Sequence, residues 1–353
     1  MNSYKALFDK LSYSGTKGPL SYPFTYDNSM TFYEYIKTIF NEYKHEIEKL
    51  EKKDVEILNQ CINGYKFDLK KDVYDICETL LECIKLSYLG LPGESYSLLI
   101  KYFKKDNKHS LNLLPKVDHP NIIAYRARSK YGLTHVKDLF HVPFSMRYKV
   151  STERFSIPGY PALYLSGSVY SCWKELGSPD LCQLSISQFH VMNVICIDLT
   201  YPLIFLWPEE NELWSYYSFF MFFPLIIANS IDVLHEGYFK PEYIIPQLFT
   251  QVMKAIFGAS IFGIKYMSTK IPVGGGIGNE CYHNIIIPTI EAKKESGYCN
   301  VLASHIAMTT PISFTAKELD QLKGKKLESS LFFQNIEFKM KNMEMIDLKD
   351  KVL

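Results

Sequence analysis

The sequence predicts an α+β protein: an N-terminal helical bundle over residues 1–118, then a domain built on a mixed or antiparallel sheet over residues 119–353. Three observations lead there. Apolar residues recur at three- and four-residue intervals through the first hundred positions. Polar residues and two prolines accumulate in "KDNKHSLNLLPKVDHPN", residues 105–121, where the composition shifts. Beyond it, short runs rich in Ile, Val and Tyr alternate with turn residues.

Taken in order, the first helix is capped by Asn28 or Ser29 and continues to about Asp54, with Phe32, Tyr35, Ile36, Ile39, Phe40 and Tyr43 on one face. Its other face, "KHEIEKLEKK", mixes both signs and reads as solvated. A second helix is "DVYDICETLLECIKLSYL", with Val73, Ile76, Cys77, Leu80, Leu81 and Ile84 at helical spacing. "LPGE" breaks the chain, and "ESYSLLIKYFKK" gives a third helix. In the second region "IIAYRAR", "ALYLS", "MNVICIDL", "YPLIFLW", "IFGIKYMS" and "HNIIIP" read as strands, and "EYIIPQLFTQVMKAIF" as a helix. "LWSYYSFFMFFPLIIA", residues 213–228, is too short for a comfortable membrane span and holds Pro224, so it reads as a buried core segment. The tail offers a helix, "TAKELDQLKG", and a strand, "SLFFQNIEFKM".

Composition excludes several classes of function. With 353 residues, 47% of them hydrophobic, the chain can bury a substantial core. A net charge of +1 supplies no field to recruit nucleic acid or an acidic membrane, so neither is expected as a partner. The eight cysteines form no CxxC pair and sit mostly in apolar runs, which reads as reduced core thiols in a cytoplasmic protein. The opening residues carry no apolar run of the secretory kind. The nine histidines make no HExxH or HxH cluster, so no metal is expected. There is no GxSxG elbow and no P-loop. "PVGGGIGNECYHN" does not follow a strand and open a helix as a dinucleotide-binding glycine loop does, and it reads as a flexible loop.

The chemistry concentrates in "STERFSIPGYPALYLSGSVYSCWKELG", residues 151–177. Pro158, Gly159 and Pro161 set a turn, Ala162–Ser166 make a strand, and a helix capped by Ser168 closes near Gly177. Each polar residue has an ordinary structural use: Ser168 as a cap, Tyr164 as a core aromatic, Arg154 and Glu175 as surface charges. A strand feeding a helix N-terminus is also a favourable place for a phosphate.

This stretch resembles the RES domain, named for its arginine, glutamate and serine. "AYRAR" supplies Arg126, "RFSIPGYPALYLSGS" supplies Arg154, Tyr164 and Ser168, and "CWKEL" supplies Glu175. "GIKYMSTK" then supplies Ser268, and "HNIIIP" supplies Asn284. The order of these elements matches over roughly residues 120–310, and the helical N-terminus resembles the HEPN-like region that precedes some such domains. The resemblance implies an ADP-ribosyltransferase-like fold and NAD as substrate, degraded by hydrolysis or phosphorolysis or used to modify a protein. It implies that Glu175 stabilises an oxocarbenium-like state, that Arg126 and Arg154 meet the diphosphate, and that Tyr164 stacks on nicotinamide or ribose. Ser268 and Asn284 would hydrogen-bond the ribose or the nicotinamide amide. Arg128 lies two residues from Arg126, on the same face of an extended strand, and is the alternative diphosphate ligand.

Competing signals are weaker. Arg128 to His135 matches an Arg–His ribonuclease spacing by count, but Gly132 interrupts it. His141 reads as a structural histidine. The expectation is therefore a toxin or defence effector that consumes NAD, with an antitoxin or activating partner and a homo-oligomer as possible assemblies. Protein ADP-ribosylation and a non-catalytic interaction module are the alternatives.

Overall fold

The computed structural model describes residues 2–12, 19–22, 24–60, 67–104, 113–200, 212–234, 237–258, 260, 262–271, 282–291, 294–314 and 330–352. The runs "YPLIFLW" and "TAKELDQLKG" and the glycine-rich insert fall almost wholly outside these residues. The chain divides into two compact units: residues 1–115 with 198–256, and residues 116–197 with 257–353. The boundary expected near residue 118 therefore marks only one of the crossings between them.

The first unit is helical. It contains α1 (Ser3–Ser12), α2 (Phe32–Glu48), α3 (Lys52–Asn59), α4 (Leu69–Tyr88), α5 (Pro92–Lys104), α8 (Glu212–Asn229) and most of α9 (Ile244–Phe257), numbered along the chain. A short parallel pair, β1 (Phe24–Thr25) and β5 (Ile231–Asp232), completes it. Residues 198–256 return to this unit because α8 is apolar on every side and needs neighbours all round it. From Ser215 to Ala228 every side chain is buried, Pro224 included, and the amphipathic helices supply the surrounding apolar faces. Tyr43 of α2 donates to the Phe220 carbonyl at 2.6 Å, Tyr217 donates to Asp72 of α4 at 2.5 Å, and Phe103 stacks on Phe222 at 6.3 Å. The first long helix departs from expectation at both ends. Its cap is Thr31, whose hydroxyl accepts from the Glu34 amide, while Asn28 (φ 61°) and Ser29 belong to the preceding turn. The helix stops at Glu48, and a separate α3 resumes at Lys52.

The second unit carries an eight-stranded sheet in the order β10-β8-β4-β2-β3-β7-β6, with β9 also on β4 and a further pairing between β4 and β6. The strands are β2 (Lys116–Ser129), β3 (Ala162–Ser166), β4 (Leu184–Leu199), β6 (Phe262–Met267), β7 (His283–Pro288), β8 (Ile306–Met308), β9 (Ile312–Ser313) and β10 (Ile346–Asp347). Neighbouring strands along this path run antiparallel. Its helices include α6 (Val136–Leu139), α7 (Val169–Glu175), α10 (Asn300–Ala303), α11 (Ser330–Lys341) and a last short turn of helix, Lys349–Val352. Strand alternation splits the core in two. Ala124, Leu163, Leu165, Phe189, Ile285 and Ile287 join α6 and α10 in one cluster. Tyr125 and Ile186 join Val169, Cys172 and Trp173 of α7 and Phe333, Ile336 and Met340 of α11 in the other.

Helix α11 replaces the strand expected at "SLFFQNIEFKM". Its apolar residues satisfy both a two-residue and a helical pattern. Burial selects the helical one: Phe333, Ile336 and Met340, at i, i+3 and i+7, are buried, whereas Phe338 is 71% exposed.

Candidate active site

The quoted stretch folds as its turn chemistry dictates. Ser168 adopts an extended conformation, and its hydroxyl accepts from the Ser171 amide at 3.1 Å, capping α7. At the other end, Gly177 takes φ 79°. Its amide donates to the Lys174 carbonyl and the Ser178 amide to that of Trp173. This pair of bonds is a Schellman closure. It makes Glu175 the last helical residue, exposed at the end of a seven-residue helix.

Three expected site residues converge. Glu175 Oε1 accepts from Ser268 Oγ at 2.5 Å and from Asn284 Nδ2 at 2.6 Å. Ser268 is wholly buried just past the end of β6, and Asn284 is 3% exposed on β7. Among the described residues, Glu175 Oε2 has no hydrogen-bond donor. The carboxylate is thus held through one oxygen and offers the other.

The arginines are arranged differently. Strands β2 and β3 pair only at Tyr125 and Ser166. Where they part, Arg126 Nη1 donates to the Tyr164 carbonyl at 3.1 Å. Burial, and secondarily Arg128 beside it, pushes the Arg126 guanidinium down to about 9. Burial likewise lowers Arg128, whose Nε is enclosed without a hydrogen-bond partner among the described residues. Neither arginine forms a salt bridge among the described residues. Arg154 is 8% exposed and reaches Thr269 Oγ1 at 3.4 Å, one residue from Ser268. Tyr164 ties these pieces together: its hydroxyl accepts from the Phe155 amide at 3.3 Å and shares a 2.8 Å bond with Ser156, fixing the turn that carries Arg154. The structure therefore joins Glu175, Ser268 and Asn284 directly, and links Tyr164 to Arg126 and to the Arg154 turn. No hydrogen bond ties Arg128 to them among the described residues.

Two sites take on a structural character. The α7 N-terminus, considered above as a phosphate position, is occupied: Glu337 of α11 accepts from the Val169 amide at 2.7 Å. His141 is 1% exposed. Its Nε2 accepts from the Cys299 amide at 2.9 Å, which places the proton on Nδ1, facing the Val142 carbonyl at 2.7 Å. Burial holds this imidazole down at about 4, in its neutral form.

Sequence reasoning passed over Ser166, whose hydroxyl meets Asn284 Oδ1 at 2.7 Å, and Glu337 on α11. For Ser166 the available signal was the two-residue period that sets it on the same strand face as Tyr164. For Glu337 the strand reading of its segment removed any signal. Among the described residues no group of His, Cys, Asp and Glu is arranged to hold a metal ion. No described helix is long and apolar enough to cross a membrane.

The fold defines an α+β protein, and the site joins a carboxylate to two fixed donors. No family model matches the sequence. A curated Bacillus subtilis (strain 168) protein named putative toxin YopC is 29% identical over 300 residues, covering 79% of this chain and 65% of that protein. The chain thus spans about two thirds of the length of the curated relative it matches. Among solved structures, the M. tuberculosis MbcT-MbcA toxin-antitoxin complex is similar at a TM-score of 0.33 and 10% identity, over 61% of this chain and 96% of that one.

Proposed function

We propose that this chain is an NAD-consuming enzyme of toxin type that cleaves the bond between nicotinamide and ribose, on an ADP-ribosyltransferase-like arrangement of the RES kind. The observation that carries this reading is Glu175, presented at a helix end with Oε1 held by Ser268 and Asn284 and Oε2 open. The similarity to a curated protein named as a putative toxin supports the toxin part.

The chemistry follows from the geometry. As the C–N bond breaks, its electron pair goes to the pyridinium nitrogen, which leaves as neutral nicotinamide, and positive charge develops at the ribose carbon. A fixed carboxylate stabilises that oxocarbenium-like state, and Oε2 of Glu175 can accept from the neighbouring ribose hydroxyl while doing so. An acceptor oxygen then forms the new bond and releases its proton. Arg126, half-buried and without a salt bridge among the described residues, supplies cationic donors for the diphosphate, with Arg154 beside Ser268 as the second. Binding an anion there offsets the cost of burying the guanidinium. A toxin of this type calls for a neutralising protein partner in the cell that makes it.

The test incubates the purified chain with NAD, with and without phosphate, and follows free nicotinamide. Nicotinamide release that disappears in Glu175→Gln is the expected result. Intact NAD under every condition, or release unaffected by Glu175→Gln, would overturn the reading. With labelled NAD, label retained on a protein acceptor would move the activity to protein ADP-ribosylation.

A further inference from the structure

An asparagine amide presents two ends of similar shape and opposite hydrogen-bonding character. Glu175 Oε1 needs the NH2 end of Asn284; the carbonyl end would set two acceptors against each other. The 2.6 Å contact between Asn284 Nδ2 and Glu175 therefore depends on which way the amide faces.

Ser166 decides that orientation. It is the last residue of β3, 6% exposed, and its register partner on β7 is Asn284 itself. Because Asn284 Oδ1 can only accept, the 2.7 Å bond between them is donated by the Ser166 hydroxyl. The Ser166 proton points to Asn284, and the Asn284 amide to Glu175. Each donor in the chain has one direction.

We propose that Ser166 is a positioning residue for the reaction: through Asn284 it holds a hydrogen-bond donor toward Glu175 Oε1, leaving Oε2 for the substrate. The inference rests on the functional reading above for its kinetic consequence, but the hydrogen-bond chain is testable without it. The hydroxyl touches no reacting atom, so its effect belongs to kcat more than to substrate binding.

Nicotinamide release would be measured for the full chain and for Ser166→Ala, Ser166→Thr, Asn284→Ala and the Ser166→Ala/Asn284→Ala pair. Ser166→Ala is expected to lower kcat about tenfold with KM changed less than about twofold, and Ser166→Thr, which keeps the hydroxyl, to recover most of the loss. If Ser166 acts through Asn284, the double variant is no slower than Asn284→Ala alone. Losses that multiply in the double variant, or an unchanged kcat in Ser166→Ala, would overturn the proposal. A second readout needs no turnover. The side-chain amide protons of Asn284, assigned by their loss in Asn284→Ala, should shift and exchange faster with solvent in Ser166→Ala. Unchanged amide resonances would also overturn it. A chain that fails to cleave NAD yet shows the amide response would refute the functional reading and leave the relay standing.

Discussion

Glu175 occupies a position that local rules disfavour: a carboxylate at the C-terminal end of a helix, where the backbone dipole is negative. Two donors, Ser268 just past β6 and Asn284 on β7, offset that cost, the pattern expected where a side chain is kept for chemistry. In the nicotinamide assay Glu175→Gln should reduce kcat by at least about 100-fold while leaving the unfolding midpoint nearly unchanged. Arg126 shows the opposite balance. Holding its half-buried cation costs stability, so Arg126→Met should be no less stable in urea melts while calorimetry finds binding of NAD or ADP-ribose lost. An unchanged affinity would remove Arg126 from the site. His141 gives the pH dependence. Its folded-state value, about 4, lies below the ordinary histidine value, so the unfolded chain binds the proton first as pH falls. The neutral ring's contribution is complete above about pH 6.5 and is lost between there and about pH 4, on the order of 3 kcal/mol. His141→Gln should flatten that part of the stability curve in denaturant melts. At this scale Glu175, Ser268 and Asn284 were legible because several spaced motifs occurred in one order. Ser166 was not: the two-residue period put it on the Tyr164 face of its strand, but that alone does not tell a positioning serine from a filler.

At the scale of elements, α7 is anchored at both ends. Ser168 and Glu337 satisfy its first amides, and Trp173 and Tyr170 pack against Phe333 at 5.5 and 5.4 Å. Helix α11 therefore sets the attitude of the helix that presents Glu175. Glu337→Ala should cost about 1 kcal/mol, and Phe333→Ala about 3 kcal/mol, in thermal or urea unfolding. The second should also expose Trp173 and shift its fluorescence to the red. An unshifted spectrum would show that α7 does not depend on α11. The strand β3 and helix α7 were readable because proline, glycine and serine fix their boundaries chemically. Helix α11 was misread because its apolar residues fit two periods, and only the face that is buried selects between them.

For the whole molecule, the composition shift near residue 118 was legible, but the return of residues 198–256 to the helical unit was not. That return is decided by α8, whose uniform apolarity announces burial without saying against what. A chain trimmed to residues 119–353 should therefore be insoluble or bind a hydrophobic dye strongly, since Phe220, Phe222 and Phe223 lose their covering helices. Joining Ile197 to Phe257 by a short linker in the same trimmed chain should restore solubility. Equal solubility of the two versions would contradict the division.

The interleaving of the two units also fixes an order of events during synthesis. When a ribosome has passed residue 197, Glu175 already exists, but the chain is still producing the other unit. Ser268 and Asn284, which hold the carboxylate, emerge only afterwards, and Glu337, which steadies its helix, later still. A growing chain of this protein carries Glu175 long before the donors that hold it. On the function proposed above, NAD cleavage has to wait until the second unit has been resumed, whatever else controls the finished molecule.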